Sequence, residues 1–168
     1  HKNPGYNVNN SSSSDYFQSC SPLSGLRVPL NNCGYQVAKT GNAYIGLAFY
    51  SPTFNQNDFR EYAEVMLSQE LQANKKYNLT YYISMANESR YSITKFDAYL
   101  SNDSLIYISS NLSIIPVTPQ FQYNARIDDT LNWVQVSGSI VASGGERFLT
   151  LGNFQDGAFC DSLSTPPA

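Results

Sequence analysis

Between residues 77 and 85 apolar and polar positions alternate without a break. Tyr77, Leu79, Tyr81, Ile83 and Met85 fall on one side of an extended chain, and Asn78, Thr80, Tyr82 and Ser84 on the other. Successive side chains of a strand point to opposite faces, so this pattern predicts a strand with one face in a core and the other in water. The preceding segment, 60–71, reads the same way, with Ala63, Val65, Leu67 and Leu71 opposite Tyr62, Glu64, Ser68 and Glu70. Its Glu and Leu content suits a helix on propensity alone, but the alternation and the strand that follows outweigh that weak preference. The short connection 72–75 then predicts an antiparallel hairpin.

Further strands are expected at 43–50, 95–101, 105–109, 133–141 and 147–154, separated by turn-rich spacers. Pro22, Pro29, Pro52, Pro116 and Pro119 all fall outside these runs, as they should when proline has no N–H for a sheet ladder. Gly144-Gly145-Glu146 reads as a hairpin turn in which glycine supplies positive φ and Glu146 faces solvent or caps the loop. About seven short strands without a repeat imply an all-β antiparallel sandwich.

At 168 residues the chain fits one domain, here expected at 15–160, with 1–14 an Asn- and Ser-rich extended arm and 161–168 a linker-like tail. Charged residues make up only 14%, so the surface is dressed by Asn, Ser, Gln and Thr, the look of a secreted or cell-surface β protein. A net charge of −3 offers no basic field for a phosphate backbone, which argues against nucleic acid as a partner. No run approaches the ~18 apolar residues needed to span a bilayer, and the beginning of the chain lacks a signal-peptide pattern, so it reads as mature or excised. Of the three cysteines, Cys20, Cys33 and Cys160, the first two are the expected disulfide and the third is left over.

Several phrases resemble the jelly-roll domains near the amino termini of large Bacteroidota surface and envelope proteins, including chains with outer-membrane-protein-A-like or gliding-motility and type IX secretion modules. They are Ser-Asp-Tyr-Phe (14–17), Val-Pro-Leu-Asn-Asn-Cys-Gly-Tyr-Gln (28–36), Gly-Asn-Ala-Tyr-Ile-Gly (41–46), Arg-Glu-Tyr (60–62), Trp133, and Gly-Gly-Glu-Arg-Phe-Leu-Thr-Leu-Gly-Asn-Phe (144–154). The resemblance implies a jelly roll of the galactose-binding or carbohydrate-binding-module kind. Such domains usually open on an Asn-Pro-Ser-Phe-Glu phrase and close on a Tyr-Tyr-Ile-Asp-Asp-Val phrase, and this chain has neither. The outermost first and last strands therefore look missing: the chain is an excerpt, or other residues fill those places, or another subunit supplies a strand to an open edge.

Sugar sites stack a pyranose on an exposed aromatic ring and orient it with amides and carboxylates. The candidates are Tyr35, Gln36, Tyr44, Tyr82, Tyr99 and Trp133, with Asn32 and Asn153 as polar partners; each also has a packing role to weigh, Trp133 above all. No cofactor is expected. A structural calcium ion is the one metal considered, with Asp128, Asp129 and Asp156 as oxygen donors. The sole histidine, His1, stands at the beginning of the chain, which argues against His-based nucleophilic catalysis and against a His/Cys zinc site. Carboxylates such as Asp97, Asp128, Asp129 and Glu146 are plentiful, but no local signature selects a glycosidase pair. Asn-x-Ser/Thr phrases occur at Asn9, Asn10, Asn78, Asn87, Asn102 and Asn111.

The sequence thus points to a non-catalytic extracellular surface module that binds carbohydrate or another cell-envelope component. The alternative is a structural subunit of a surface assembly, a homo-oligomer held by arm exchange or edge-strand addition. A polysaccharide-active enzyme is the weaker third reading.

Overall fold

The computed structural model describes residues 6–7, 14–49, 60–89, 91–105, 114–155 and 160–162. Among them the chain is all-β, and every strand pairing is antiparallel. In chain order the strands are β1 (Tyr6–Asn7), β2 (Asp15–Gln18), β3 (Leu30–Asn31), β4 (Gly34–Tyr35), β5 (Ala43–Gly46), β6 (Ala63–Met66), β7 (Lys76–Ile83), β8 (Tyr91–Ile93), β9 (Asp97–Ser101), β10 (Val134–Val141), β11 (Phe148–Gly152) and β12 (Cys160–Ser162). One 3-10 turn, Ser24–Leu26, lies between β2 and β3. The largest sheet has the order β1-β6-β11-β9; the pairs β7–β10, β2–β5, β3–β4 and β8–β12 complete the set.

The alternation at 77–85 places a strand where expected, but its partner differs from the expected hairpin. β7 pairs along its whole length with β10, while β6 pairs with β11. Residues 72–75 are therefore a corner rather than a reversal. The 142–147 segment turns the same corner beside them, keeping backbone bonds from Leu71 N to Glu146 O (3.0 Å), from Gly145 N to Leu71 O (3.0 Å) and from Asn74 N to Ala142 O (2.8 Å). A two-stranded ribbon, β6–β7 against β10–β11, thus runs out of one sheet and into another.

Gly144 and Gly145 bend the ribbon at φ +100° and +92°, values that side-chain-bearing residues rarely adopt. They are not a hairpin turn, because β10 and β11 belong to different sheets. Glu146 caps the bend from a buried position, accepting from Ser143 N at 2.7 Å and Gly144 N at 2.8 Å.

The inner face of β7–β10 packs as the alternation requires. Val136 and Ile140 are buried, and the Tyr81 ring lies 5.3 Å from Phe96 and 6.4 Å from Phe121. Phe121 bridges to fully buried Ala98 in β9 and lies over Gly138, where a Cβ would collide with its ring. Gly138 is thus the hollow that lets an aromatic side chain join the two layers.

In β6 and at Tyr62 just before it the expected faces are exchanged. Tyr62 and Glu64 are buried, whereas Ala63 and Val65 are only partly so. Tyr62 belongs to a core cluster with Ile115 and Phe154, and its hydroxyl donates to Asn153 O at 2.9 Å. Glu64 is tolerated inside because its carboxyl group is fully engaged, accepting from Ser104 Oγ (2.5 Å), Leu105 N (2.8 Å) and Thr150 Oγ1 (3.0 Å).

The strand expected at 105–109 lies outside the described residues apart from Leu105. The N-terminal segment contributes β1 to the edge of the large sheet, with Tyr6 opposite Val65. Residues 160–162, expected to lie at the junction of domain and tail, form β12 against β8.

Candidate functional site

Alternation that buries one face of β7–β10 turns the other outward. On that outer face Tyr82 stands opposite Gln135, Thr80 opposite Ser137, Asn78 opposite Ser139 and Lys76 opposite Val141. All of these residues are exposed. The Tyr82 hydroxyl donates to Gln135 Oε1 at 3.3 Å, which joins the two strands across the rung. Rungs two residues apart repeat every ~7 Å along an antiparallel strand. The face is a shallow ladder of hydroxyl and amide groups with a phenol at one end.

The ladder stops at a wall. Beyond Gln135 the same face of the chain reaches Trp133, whose indole N–H donates to Val37 O at 2.8 Å. Trp133 also meets the Tyr44 ring edge-on at 5.5 Å, and Tyr44 in turn lies 5.2 Å from buried Phe17. Asn31 Nδ2 donates to the Tyr44 hydroxyl at 2.7 Å, and burial raises the pKa of that hydroxyl. Gln36 Nε2 donates to Ser84 Oγ at 2.7 Å. The 36–39 segment is thereby fixed across the end of the β7–β10 pair. Its last residue, Lys39, holds its ammonium 4.6 Å from the centroid of the Tyr82 ring, a cation–π contact.

The structure therefore gathers Gln36, Tyr44, Tyr82 and Trp133 at one end of one face. Tyr35 projects nearby from the β3–β4 hairpin, 58% exposed, with its amide bonded to Asn87 Oδ1 at 2.8 Å. Asn32 is exposed on the same hairpin, but its side chain packs over Gly25.

Two candidates lie elsewhere. Tyr99 packs on Phe154 at 6.2 Å beside the core cluster, and Asn153 is buried, its carbonyl oxygen taking bonds from Arg60 and Tyr62 and its Oδ1 taking one from Gln155 N. Tyr99 is partly buried and Asn153 is buried, and both lie in or next to the large sheet rather than on the β7–β10 face. The residues that sequence reasoning passed over are Lys39, Gln135, Ser137 and Ser139. The polar half of the 133–141 alternation was their visible signal, whereas nothing local in the sequence places Lys39 on Tyr82.

Two of the proposed metal donors have partners within the chain. Asp128 pairs with Arg126 at 3.2 Å, and Asp129 Oδ1 accepts from Leu131 N and Asn132 N at 2.8 Å each. Those bonds, led by the one from Asn132, lower the Asp129 pKa. Among the described residues no group of three or more His, Cys, Asp or Glu side chains could hold a metal ion, and Asp156 lies outside them.

The expected Cys20–Cys33 disulfide is not formed. Both thiols are free, Cys20 exposed beyond β2 with its sulfur 3.6 Å from Gln18 Oε1, Cys33 partly buried at the tip of the β3–β4 hairpin. The 12 residues between them hold a 3-10 turn and the hairpin's first strand. Burial, then the negative charges of Asp15, Glu61 and Glu88, raise the Cys33 pKa.

Compared with protein-family models, with curated proteins and with solved structures, the chain matches none of them significantly.

Proposed function

We propose that this chain is a non-catalytic extracellular or cell-surface module with a jelly-roll fold, and that it binds carbohydrate on the outer face of β7–β10. The jelly-roll reading draws on the folded ribbon, since two antiparallel strands that cross a corner together from one sheet to another are the step by which such a sandwich is wound. The binding reading rests above all on one observation, the ladder Tyr82/Gln135, Thr80/Ser137 and Asn78/Ser139, exposed along its whole length. Amide and hydroxyl groups match the hydroxyls of a sugar chain, and an aromatic ring supplies apolar surface for its C–H face. The ladder positions include no carboxyl group to act as acid or base, which favours binding over hydrolysis.

Affinity electrophoresis through a panel of polysaccharides tests the reading. At least one glycan should retard the chain, and Tyr82→Ala should weaken that binding about tenfold, equivalent to ~1.4 kcal/mol. Retardation by no glycan, or binding indifferent to Tyr82→Ala and Gln135→Ala together, would remove this reading.

A second reading is favoured by β1. This two-residue strand seats the N-terminal arm on the edge of the large sheet, where the same arm of another copy could pair instead. A structural subunit of that kind would assemble with rising concentration, and deletion of residues 1–14 would abolish the assembly in sedimentation experiments.

A further inference from the structure

The distribution of charge on the outer β7–β10 face is the reverse of that of the chain. The whole sequence holds 13 acidic against 10 basic residues. Glu61, Glu64, Asp97 and Glu146 are buried, and Glu70 and Asp128 are paired with Arg147 and Arg126. On the ladder itself neither strand contributes an acid. Lys39 stands over Tyr82 at one end and Lys76 stands opposite Val141 at the other. Both lysines are exposed, and from Tyr82 to Lys76 the strand covers ~20 Å. Beyond the ladder, the Asp129 backbone oxygen accepts from Ser84 and Met85, and the Asp129 carboxyl group accepts bonds from Leu131 and Asn132; Glu88 is exposed on the loop that bonds to Cys33.

We infer that this face selects acidic polysaccharide, a linear glycan carrying carboxylate or sulfate groups, with Lys39 and Lys76 as its anion contacts. The inference rests on the carbohydrate-binding reading above and adds the ligand's charge to it. A neutral glycan would offer the two lysines only hydroxyl oxygens and no opposite charge. A polyanion of several sugar units would instead meet a cation at each end of the ladder and hydroxyl and amide groups between. Lysine suits this task, because an ammonium on a flexible stem meets carboxylate or sulfate without demanding one geometry. Lys39 has the more fixed position, since its ammonium sits over the Tyr82 ring.

The full chain is run through gels containing dextran, carboxymethyl dextran, dextran sulfate, polygalacturonate or uncharged arabinan at two ionic strengths. Retardation by at least one charged polymer beyond its uncharged counterpart is expected. Each of Lys39→Gln and Lys76→Gln should weaken it about fivefold, as a single exposed charge contact does, and salt should weaken it too. Comparison of the carboxymethyl and sulfate forms of dextran, with polygalacturonate, separates the two anion sources.

Arg147→Gln removes the same charge from the corner segment, where Arg147 is paired with Glu70, and should leave the retardation unchanged. Equal weakening by Arg147→Gln would mean unspecific attraction and overturn the inference. Binding to uncharged polymers that depends on Tyr82 but not on the lysines would also overturn it while leaving the carbohydrate reading intact. No retardation by any polymer would overturn both.

Discussion

Glu64 carries the sharpest stability prediction. Its side chain is 5% exposed and receives bonds on both oxygens: Ser104 Oγ on one, Leu105 N and Thr150 Oγ1 on the other. Thr150 is itself 1% exposed. Glu64→Ala takes the acceptors away and leaves the donors in place. A buried donor left without a partner costs ~1–3 kcal/mol, so the Leu105 amide and the Thr150 hydroxyl together cost about 3 kcal/mol.

That is a large share of the ~5–15 kcal/mol that stabilises a typical domain, and for a chain of this length it corresponds to a fall of about 6–12 °C in Tm. Glu64→Gln separates this account from a simple loss of volume. The Gln carbonyl can occupy the doubly bonded oxygen's place and keep Leu105 and Thr150 satisfied, while its amide group turns to the Ser104 hydroxyl, which can accept. The variant should retain most of the stability lost by Glu64→Ala. Chemical denaturation with matched m-values measures both. Equal losses in the two variants, or a loss below about 0.5 kcal/mol in Glu64→Ala, would refute the bonding argument.

Other outcomes follow from the same reasoning. Gly138→Ala should destabilise by about 1–3 kcal/mol, since its Cβ would collide with the Phe121 ring; thermal unfolding measures it, and a neutral result would mean that Phe121 does not bridge the layers. Burial raises the pKa of Asp97, which is fully inaccessible, above its ordinary 3.8. The folded state therefore holds the proton to higher pH than the unfolded chain does, and stability from this group is lost as pH rises through the raised value. Asp97→Asn should equal the parent below the ordinary carboxyl range and exceed it at neutral pH, a difference that pH-dependent melting curves would show. Trp133→Phe removes the indole bond to Val37 and should cost about 1 kcal/mol in chemical denaturation. As Trp133 is the sole tryptophan and forms the end wall of the ladder, saturating glycan should shift its fluorescence emission; an unchanged spectrum would place the ligand elsewhere.

How much of the candidate site was legible follows from where its parts come from. The outer residues of β7, Asn78, Thr80 and Tyr82, were readable as a wet face because a strand's period of two is a local property. The exposure of Gln135, Ser137 and Ser139 was equally implicit in the alternation around Val136 and Ile140. What could not be read was that these two faces lie side by side. The distance along the chain between Tyr82 and Gln135 is bridged only by strand pairing, and pairing depends on the fit of whole sheets. The Lys39 contact with Tyr82 and the Trp133 bond to Val37 are of the same kind.

The sequence by itself determined that this chain is built of strands, since two-residue periodicity and the placement of prolines are enforced by backbone geometry within each segment. It also fixed a composition with one histidine and few charges. The tertiary structure alone decided which strands are neighbours, that 72–75 is a corner, and that Tyr62, just before β6, and Glu64 within it are buried. The physical reason is that hydrophobic pattern identifies a buried face only while polar groups lack partners. Once Ser104, Leu105 and Thr150 converge on Glu64 from distant parts of the chain, a carboxyl group is as well placed inside as a leucine, and no local pattern foretells that convergence.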